Sequence, residues 1–178
     1  MSTLATTNIK HGSSSSNNIV LDSNGKAIMP GHIIQVVTAV ATNTVSTTST
    51  SYVETTSDLR CTITPISATS KLIITYSLYL NSVAQWITVR LRQDGSTELT
   101  AGDNGHSTTG NGNASFYGDN NPYGTLVTRD VVTASNTSQR YYSPFWRTNG
   151  GTVGLNRIVH SADYADGISV GTIMEVAV

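Results

Sequence analysis

Residues 30–80 read PGHIIQVVTAVATNTVSTTSTSYVETTSDLRCTITPISATSKLIITYSLYL, and this stretch decides the fold. Apolar and polar residues alternate through it, and Thr and Ser occupy many of the polar positions. Alternation places successive side chains on opposite faces of a sheet, and Val, Ile and Thr suit a pleated, half-buried surface. Short runs of this kind, separated by turn residues, predict an all-β protein, an antiparallel sandwich or barrel.

The alternation continues to the last residue and predicts roughly eight to ten strands after residue 30. The runs lie at residues 33–40, 52–55, 59–64, 71–80, 86–92, 126–133, 139–147, 152–159 and 167–178. Asp94-Gly95 predicts a turn, and Gly150-Gly151 predicts a hairpin between two of these strands. The Gly- and Asn-rich residues 102–124 are predicted to form a long loop.

Two of the predicted strands have distinctive faces. Residues 33–40 are apolar on both faces, which predicts burial on both sides, as at a subunit interface. The candidate interface residues are Ile33, Ile34, Val36 and Val37. In residues 86–92 the alternation instead places three apolar residues on one face and Trp86, Arg90 and Arg92 on the other.

Residues 1–29 differ from the rest of the chain. A run of four serines and two asparagines precedes Asn24-Gly25, which lies between short apolar arms. Asn-Gly favours a type I′ hairpin turn, but an isolated hairpin is only marginally stable in water. The segment therefore needs support from its own domain or from further copies of itself. We predict an attachment or stalk segment at residues 1–29 and a sandwich head domain at residues 30–178.

The composition limits the classes of function. Of the 178 residues only 12% are charged, against about 25% in an average protein, while Ser and Thr together exceed a quarter. The net charge of −1 offers no basic stripe for nucleic acid. The start lacks the basic and apolar regions of a signal peptide, and no window is apolar enough for a membrane span. Synthesis in a host cytoplasm without a signal peptide is expected.

No catalytic or metal-binding pattern is evident. The four histidines form no metal-binding pair, and they are His11, His32, His106 and His160. The single cysteine, Cys61, alternates with Leu59 and Ile63, which favours a core position. Asp163 and Asp166 fit an ordinary turn better than a calcium loop, which needs more acidic positions and a closing Glu. A non-enzymatic protein without a cofactor is expected.

Aromatic residues are concentrated in the second half of the chain, several within polar loops. Rings in Gly- and Asn-rich loops suit stacking on sugars or docking of a protein partner, while the alternative is that they fill the core. The candidate partner contacts, with polar residues of the same predicted loops, are His106, Phe116, Tyr117, Tyr123, Asp163, Tyr164 and Asp166.

The segments PGHIIQVVTAV, STSYVETTSDLRCTITPISATSKLIITYSLYL and GTIMEVAV resemble the short fibre and adhesin-type structural proteins of marine and cyanobacterial tailed phages. The resemblance covers nearly the whole chain. It rests on the strand pattern and on the residues of these segments, not on a catalytic signature. It implies a virion protein with a trimeric jelly-roll head, similar to tumour-necrosis-factor and complement-type trimers. That family has no defined site motif, so no binding residue is carried over.

Together these observations predict a trimeric fibre or receptor-binding protein of a phage virion. Three apolar residues of the first segment, Ile19, Leu21 and Ile28, would attach it to another virion protein. The loops at residues 102–124 and 160–167 would face a glycan or protein of the host surface. The alternative is a capsid decoration protein or head fibre of the same fold; a lectin-like glycan-binding module and a depolymerase enzyme are further alternatives.

Overall fold

A computed structural model describes residues 6–15, 17, 19–21, 27–82, 84–99, 114–118, 123–157 and 167–178. Within these ranges the chain forms strands and a single turn of 3₁₀ helix, Ser57–Leu59. The strands are β1 (Asn8–Ile9), β2 (Ile19–Leu21), β3 (Ala27–Ile28), β4 (Ile33–Ala41), β5 (Val45–Thr47), β6 (Val53–Glu54), β7 (Cys61–Ile63), β8 (Lys71–Ser82), β9 (Gln85–Gln93), β10 (Thr97–Glu98), β11 (Ala114–Gly118), β12 (Tyr123–Thr133), β13 (Arg140–Thr148), β14 (Val153–Leu155) and β15 (Ser169–Val176).

These strands form three antiparallel sheets. A small sheet has the order β1-β2-β3. The first large sheet contains β4, β5, β8, β12, β14 and β15, and the second contains β6, β7, β9, β10, β11 and β13. The two large sheets pack on a shared core, so the predicted all-β antiparallel sandwich is confirmed.

Each large sheet is four strands wide because several strands are short pieces lying end to end. In the first sheet β12 pairs along almost all of β8. A strand has only two edges, so β15 and β14 share the opposite edge of β8, and β4 and β5 lie beyond them. In the second sheet β10 and β11 likewise share one edge of β9, and β6 and β7 share one edge of β13.

The chain crosses between the two large sheets at most of its connections. It runs from β4 and β5 to β6 and β7, back to β8, across to β9, β10 and β11, back to β12, across to β13, and back to β14 and β15. The hairpin predicted at Gly150-Gly151 is therefore wrong, because β13 and β14 belong to different sheets. Both glycines have positive φ, 150° and 69°, and turn the chain from one sheet to the other.

The core lies between the sheets, where the alternating residues of the long strands meet. In β8 and β9 every second side chain is fully buried, and these residues are Leu72, Ile74, Tyr76, Leu78, Leu80, Ile87, Val89 and Leu91. Cys61 is buried with them as predicted, and burial raises the pKa of its thiol. Trp146 of β13 fills the same layer.

Tyr76 links the two sheets at the centre of the core. Its hydroxyl oxygen lies 2.5 Å from the carbonyl oxygen of Tyr142 in β13 and 3.1 Å from that of Leu59. Gly171 of β15 leaves room for this ring, since a Cβ there would lie 2.3 Å from Cε1 of Tyr76 and 2.8 Å from Sγ of Cys61. Burial raises the pKa of the Tyr76 hydroxyl, which therefore remains a neutral donor.

Glu175 of β15 is a buried carboxylate that holds the connection before β8. Its Oε1 accepts hydrogen bonds from the backbone N–H groups of Ile66 at 2.8 Å and Ser67 at 3.1 Å, and its Oε2 accepts from Ile66 at 3.0 Å. The side chain is fully buried. These bonds compensate for the cost of burying the carboxylate.

The arms of the predicted N-terminal hairpin are paired. Val20 and Leu21 of β2 lie opposite Ile28 and Ala27 of β3, and β1 adds a third strand on the other edge. The turn residues Asn24 and Gly25 lie outside the described residues. The division into an attachment segment at residues 1–29 and a head at residues 30–178 stays a prediction.

Two further predictions concern turns and loops. Asp94 and Gly95 have φ of 50° and 75° and connect the antiparallel strands β9 and β10, so this turn is confirmed. The loop predicted at residues 102–124 contains β11, and β12 begins at Tyr123. No helix in the described part of the chain is long and apolar enough to cross a membrane.

Candidate functional site

The predicted partner contacts do not all lie in the described part of the structure. His106, Asp163, Tyr164 and Asp166 lie outside the described residues. The other three, Phe116, Tyr117 and Tyr123, lie on strands and not in a loop.

Phe116 turns inward and packs against the core, 2.9 Å from the position that a Cβ would take at Gly124. Tyr117 and Tyr123 point outward and are 43% and 41% exposed. Of the seven predicted contacts, only these two are therefore described as lying on the surface.

The outer side of the first large sheet is lined with apolar side chains, and we call it the apolar face. Pairing of the strands arranges these side chains in rows across the sheet. One row contains Val36, Met174, Ile73 and Val131, another Thr38, Thr172, Thr75 and Arg129, and a third Val40, Val170, Ser77 and Val127. A solvated sheet face normally carries polar residues, so this composition is unusual.

Several side chains of the apolar face are open to solvent. The most exposed are Ile33 at 55%, Val36 at 56%, Val40 at 51%, Val127 at 58% and Val131 at 47%. These residues belong to the two outermost strands, β4 and β12, while the central residues of β8 and β15 are half-buried by their neighbours. Within the described residues the face carries no carboxylate, and its positive charges include Arg129, Lys71 and Arg157, which lies against Gly154 of β14.

The four predicted interface residues of β4 divide between the two sides of the sheet. Val36 lies on the apolar face. A register shift between Glu175 and Val176 brings Ile33 to the same side, opposite Val176. Val37 packs against the core on the inner side, and Ile34 is half-buried. Sequence reasoning did not identify the contributions of β12 and β15, because only strand pairing brings them beside β4.

The outer side of the second large sheet is different, and we call it the cationic face. Four arginines lie there together with three aromatic rings and two glutamates: Arg60, Arg90, Arg92, Arg147, Tyr52, Tyr141, Phe145, Glu54 and Glu98. The sequence indicated the outward direction of Arg90 and Arg92, but β6 and β13 bring the other groups beside them.

Three guanidinium groups surround the ring of Tyr52. The Cζ atoms of Arg90, Arg147 and Arg92 lie 4.3, 5.0 and 5.9 Å from its centroid. Burial raises the pKa of the Tyr52 hydroxyl, although Arg90 and Arg147 act in the opposite direction. Tyr52 therefore remains neutral at physiological pH and provides an aromatic surface for the three cations.

Two carboxylates neutralise part of this charge. Glu54 receives two hydrogen bonds from Arg60, from Nε at 2.9 Å and Nη2 at 2.7 Å, which lower its pKa. Glu98 receives bonds from both Arg90 and Arg92 on the same oxygen. Burial raises the pKa of Glu98, but these arginine hydrogen bonds outweigh the effect and leave it below the ordinary value.

An exposed aromatic pair lies at one end of the cationic face. Trp86 of β9 is 51% exposed and its ring centroid lies 4.8 Å from that of Tyr117 in β11, with the planes tilted by 40°. These two residues are directly opposite in the strand pairing. Trp86, Arg90 and Arg92 are separated by even numbers of residues in β9, so their side chains project from the same side of the strand. Tyr117 projects to that side as well, because it is paired with Trp86.

The described residues contain no group of three or more His, Cys, Asp or Glu side chains that could hold a metal ion. The candidate site consists of two surfaces, the apolar face and the cationic face. No family model and no curated protein matches the chain.

Proposed function

We propose that this chain is a non-enzymatic structural protein of a phage virion, a trimeric fibre or receptor-binding protein that assembles through its apolar face. The observation that carries the assembly is the exposure of Ile33, Val36, Val40, Val127 and Val131 on one sheet face. The virion role rests on the resemblance of the strand segments to tailed-phage fibre proteins.

The size of the apolar face supports burial against another protein surface. Three rows across four strands, at spacings of about 6.8 and 4.8 Å, cover about 400 Å² of sheet. Apolar side chains make up most of two of these rows, and exposed apolar clusters of this kind are typical of interaction sites. The low charge of the described part of the face, and the threonines Thr38, Thr172 and Thr75 at its centre, favour contact with an uncharged surface of a neighbouring copy.

The order of the strands supports a jelly-roll head. The eight strand positions form two four-stranded sheets, and the chain crosses between them at nearly every connection, as expected when two Greek keys are folded together. This arrangement agrees with the jelly-roll head implied by the resemblance. In such an assembly the N-terminal sheet of β1, β2 and β3 would gain support from its copies, and Ile19, Leu21 and Ile28 would contact another virion protein.

The first test is the mass of the purified protein by light scattering. We expect a particle of three chains of 18.9 kDa for the wild type. Val127→Asp places a charge at a highly exposed apolar side chain of the apolar face, so the variant should dissociate, with association weakened about 30-fold or more. The matched control is Thr62→Asp, because Thr62 is similar in size to Val127 and exposed but lies on the outer side of the second large sheet, opposite Tyr141.

A monomeric wild type would contradict the proposed assembly, as would a Val127→Asp variant that stays trimeric. A version starting at Pro30 separates the roles of the two segments: if it remains trimeric, the head assembles by itself and residues 1–29 serve attachment. Antibody labelling of phage particles tests the virion role. Label on the tail would support a fibre, label on the capsid would support the decoration protein, and no label would contradict both.

A further inference from the structure

The aromatic pair of Trp86 and Tyr117 keeps two large rings in contact with solvent. The chain has two tryptophans, and the other one, Trp146, is only 1% exposed. Alternation along β9 accounts for the outward direction of Trp86, because its neighbours Ile87 and Val89 are directed inward and outward in turn, with both fully buried residues one and three positions away. Tryptophan is highly buried on average, so a ring that is 51% exposed at a fixed strand position indicates a contact surface.

The two rings are held in place before any ligand binds. Trp86 and Tyr117 lie directly opposite each other in the pairing of β9 with β11, and their ring centroids are 4.8 Å apart. The backbone next to them is fixed as well: the N–H of Gly118 donates to Oγ of Ser82 at 3.0 Å, and this hydroxyl donates to the carbonyl oxygen of Gln85 at 2.8 Å. A rigid aromatic surface loses little conformational entropy when it binds.

Neutral hydrogen-bonding groups border the aromatic pair. The backbone N–H of Asn149 donates to the carbonyl oxygen of Trp86 at 3.3 Å, and its Oδ1 accepts from the N–H of Trp86 at 2.7 Å. These bonds fix the exposed amide beside the ring, with an N–H₂ group that can donate to a ligand. Two residues further along each strand, Thr88 and Ser115 are paired and add hydroxyl groups on the same side of the sheet.

Aromatic rings bordered by an amide and hydroxyl groups match the chemistry of a neutral sugar. A pyranose ring has C–H groups on its faces and hydroxyl groups around its edge. Its face can pack on an aromatic ring while its hydroxyl groups exchange hydrogen bonds with the polar groups beside the rings. A purely apolar partner would instead bury those polar groups without hydrogen bonds, which is unfavourable.

We propose that the aromatic pair binds a neutral polysaccharide, with a sugar ring packed on Trp86 and Tyr117 and its hydroxyl groups bonded to Asn149, Thr88 and Ser115. This inference names the ligand class for the host-attachment role proposed above and rests on that role. The aromatic pair belongs to the second large sheet, so assembly through the apolar face of the first leaves it open on each copy. Joint binding by three copies raises avidity by about 10² to 10⁴.

The experiment applies the purified full-length protein to an array of immobilised oligosaccharides and measures its affinity for the neutral chain that binds best. The array carries neutral chains of glucose, galactose, mannose and N-acetylglucosamine, and acidic chains of galacturonic acid. We expect binding to a neutral chain that does not change with salt, because a neutral ligand forms no ion pair. Trp86→Ala should lower the affinity about tenfold or more, while Trp86→Phe, which keeps a ring, should lower it less.

Asn149→Asp tests the polar border of the aromatic pair. The variant keeps an oxygen for the N–H of Trp86 but removes the amide donor, so the affinity should fall about fivefold or more. The matched control is Thr62→Asp, which places the same charge on the outer side of the same sheet near the other end of β13 and should leave the affinity unchanged. Acrylamide quenching of tryptophan emission locates the contact: Trp86 is exposed and Trp146 is buried, so the bound chain should reduce quenching.

The inference is overturned if no neutral chain binds, if the acidic chains bind more tightly than every neutral one, or if the bound chain leaves quenching unchanged. It is also overturned if neither Trp86→Ala nor Asn149→Asp weakens binding. Tyr117→Ala keeps the test valid if Trp86→Ala does not fold, because the ring of Tyr117 is exposed as well.

Light scattering on the same samples separates this inference from the proposed assembly. A wild-type trimer that does not bind contradicts only the polysaccharide, and a monomer that binds contradicts only the assembly. A Trp86→Ala variant that no longer forms a trimer would show that the aromatic pair is a contact between copies, which overturns the inference.

Discussion

The two outer faces of the sandwich are built on similar sheets and have opposite chemistry. The apolar face presents mainly valine, isoleucine and threonine, and it has no internal pairing of charges among its described residues. The cationic face presents arginines that are already bonded to glutamates and stacked on rings. The polar groups of the cationic face largely find hydrogen-bond partners within the chain. The apolar side chains of the other face are shielded from water only when another protein surface covers them.

This difference shows that the outward residues of a strand carry information that the inward ones do not. The inward residues that alternate from Leu72 to Leu80 and from Ile87 to Leu91 are similar, all aliphatic apart from Tyr76. Their outward neighbours are Ile73, Thr75 and Ser77 in one strand and Thr88, Arg90 and Arg92 in the other. The core thus defines the sandwich, and the outer faces define what it contacts.

The largest effect is expected from damage to the core, because both outer faces depend on it. In Gly171→Ala the new Cβ would lie 2.3 Å from Cε1 of Tyr76, so the ring or β15 must move. We expect the free energy of unfolding to fall by about 3 kcal/mol, measured by urea denaturation. Gly12→Ala is the control, because nothing lies within 4 Å of its Cβ position. A Gly171→Ala variant as stable as the wild type would contradict the packing of Gly171 against Tyr76.

A substitution at Glu175 should affect the sheet of the apolar face before the other sheet. In Glu175→Leu a side chain of similar size has no acceptor, so the backbone N–H groups of Ile66 and Ser67 lose both carboxylate oxygens to which they donate. We expect a loss of about 2 kcal/mol in the free energy of unfolding. Hydrogen exchange should accelerate in β4 and β15, while β9 and β13 should remain protected. Equal acceleration in both sheets would contradict a local role.

Tyr76→Phe tests the link between the sheets that carry the two faces. The variant removes the hydroxyl that contacts the carbonyl oxygens of Tyr142 and Leu59. Both residues remain buried, so their carbonyl oxygens lose this donor without gaining contact with water. The expected loss in the free energy of unfolding is about 1–2 kcal/mol, with little change in shape. Thermal denaturation measures it, and Tyr117→Phe serves as a control at an exposed hydroxyl. A loss no greater than that of the control would show that the link contributes nothing.

The smallest effect is expected from the ion pairs of the cationic face, because they do not involve the core or the apolar face. Folding lowers the pKa values of Glu54 and Glu98 below the ordinary 4.5. Their contribution is therefore fully present above pH 4.5 and is lost as the pH falls through the lowered values. We expect each ion pair to contribute less than about 1 kcal/mol.

Urea denaturation of the double variant Glu54→Gln and Glu98→Gln measures this contribution. Its free energy of unfolding should lie below that of the wild type at pH 6, and the two curves should converge as the medium becomes acidic. A constant difference between pH 6 and pH 3 would show that protonation of these carboxylates is not responsible.

The sequence was sufficient to predict the strands that carry long alternating runs. Residues 71–80 and 86–92 were identified to within two residues of β8 and β9, because a buried inner face forces strict alternation. The Asp94-Gly95 turn was also predictable, since positive φ at two positions in a row requires this kind of pair. Strand β11 was missed because its residues alternate weakly and are held by pairing with β9.

Contacts between distant parts of the chain were beyond sequence reasoning. Nothing near Tyr52 indicates that Arg147, in a strand far along the chain, will lie 5.0 Å from its ring. Gly150-Gly151 was misinterpreted for a related reason: two adjacent glycines permit a sharp change of direction but do not determine whether the next strand joins the same sheet. The apolar pattern of β4 indicated an interface, but pairing with β15 determined which of its residues face outward.

The pairing of β4 with β15 also has a consequence for how the protein is made. Val40 pairs with Val170, about 130 positions further along the chain. At the usual rate of about 5–20 residues per second, a ribosome needs on the order of ten seconds to synthesise the strand that covers one edge of β4. During that interval the nascent chain carries an apolar strand with an open edge, which invites aggregation. Folding dominated by such distant pairings is slow, so production of this protein should depend more on temperature and on chaperones than its modest size suggests.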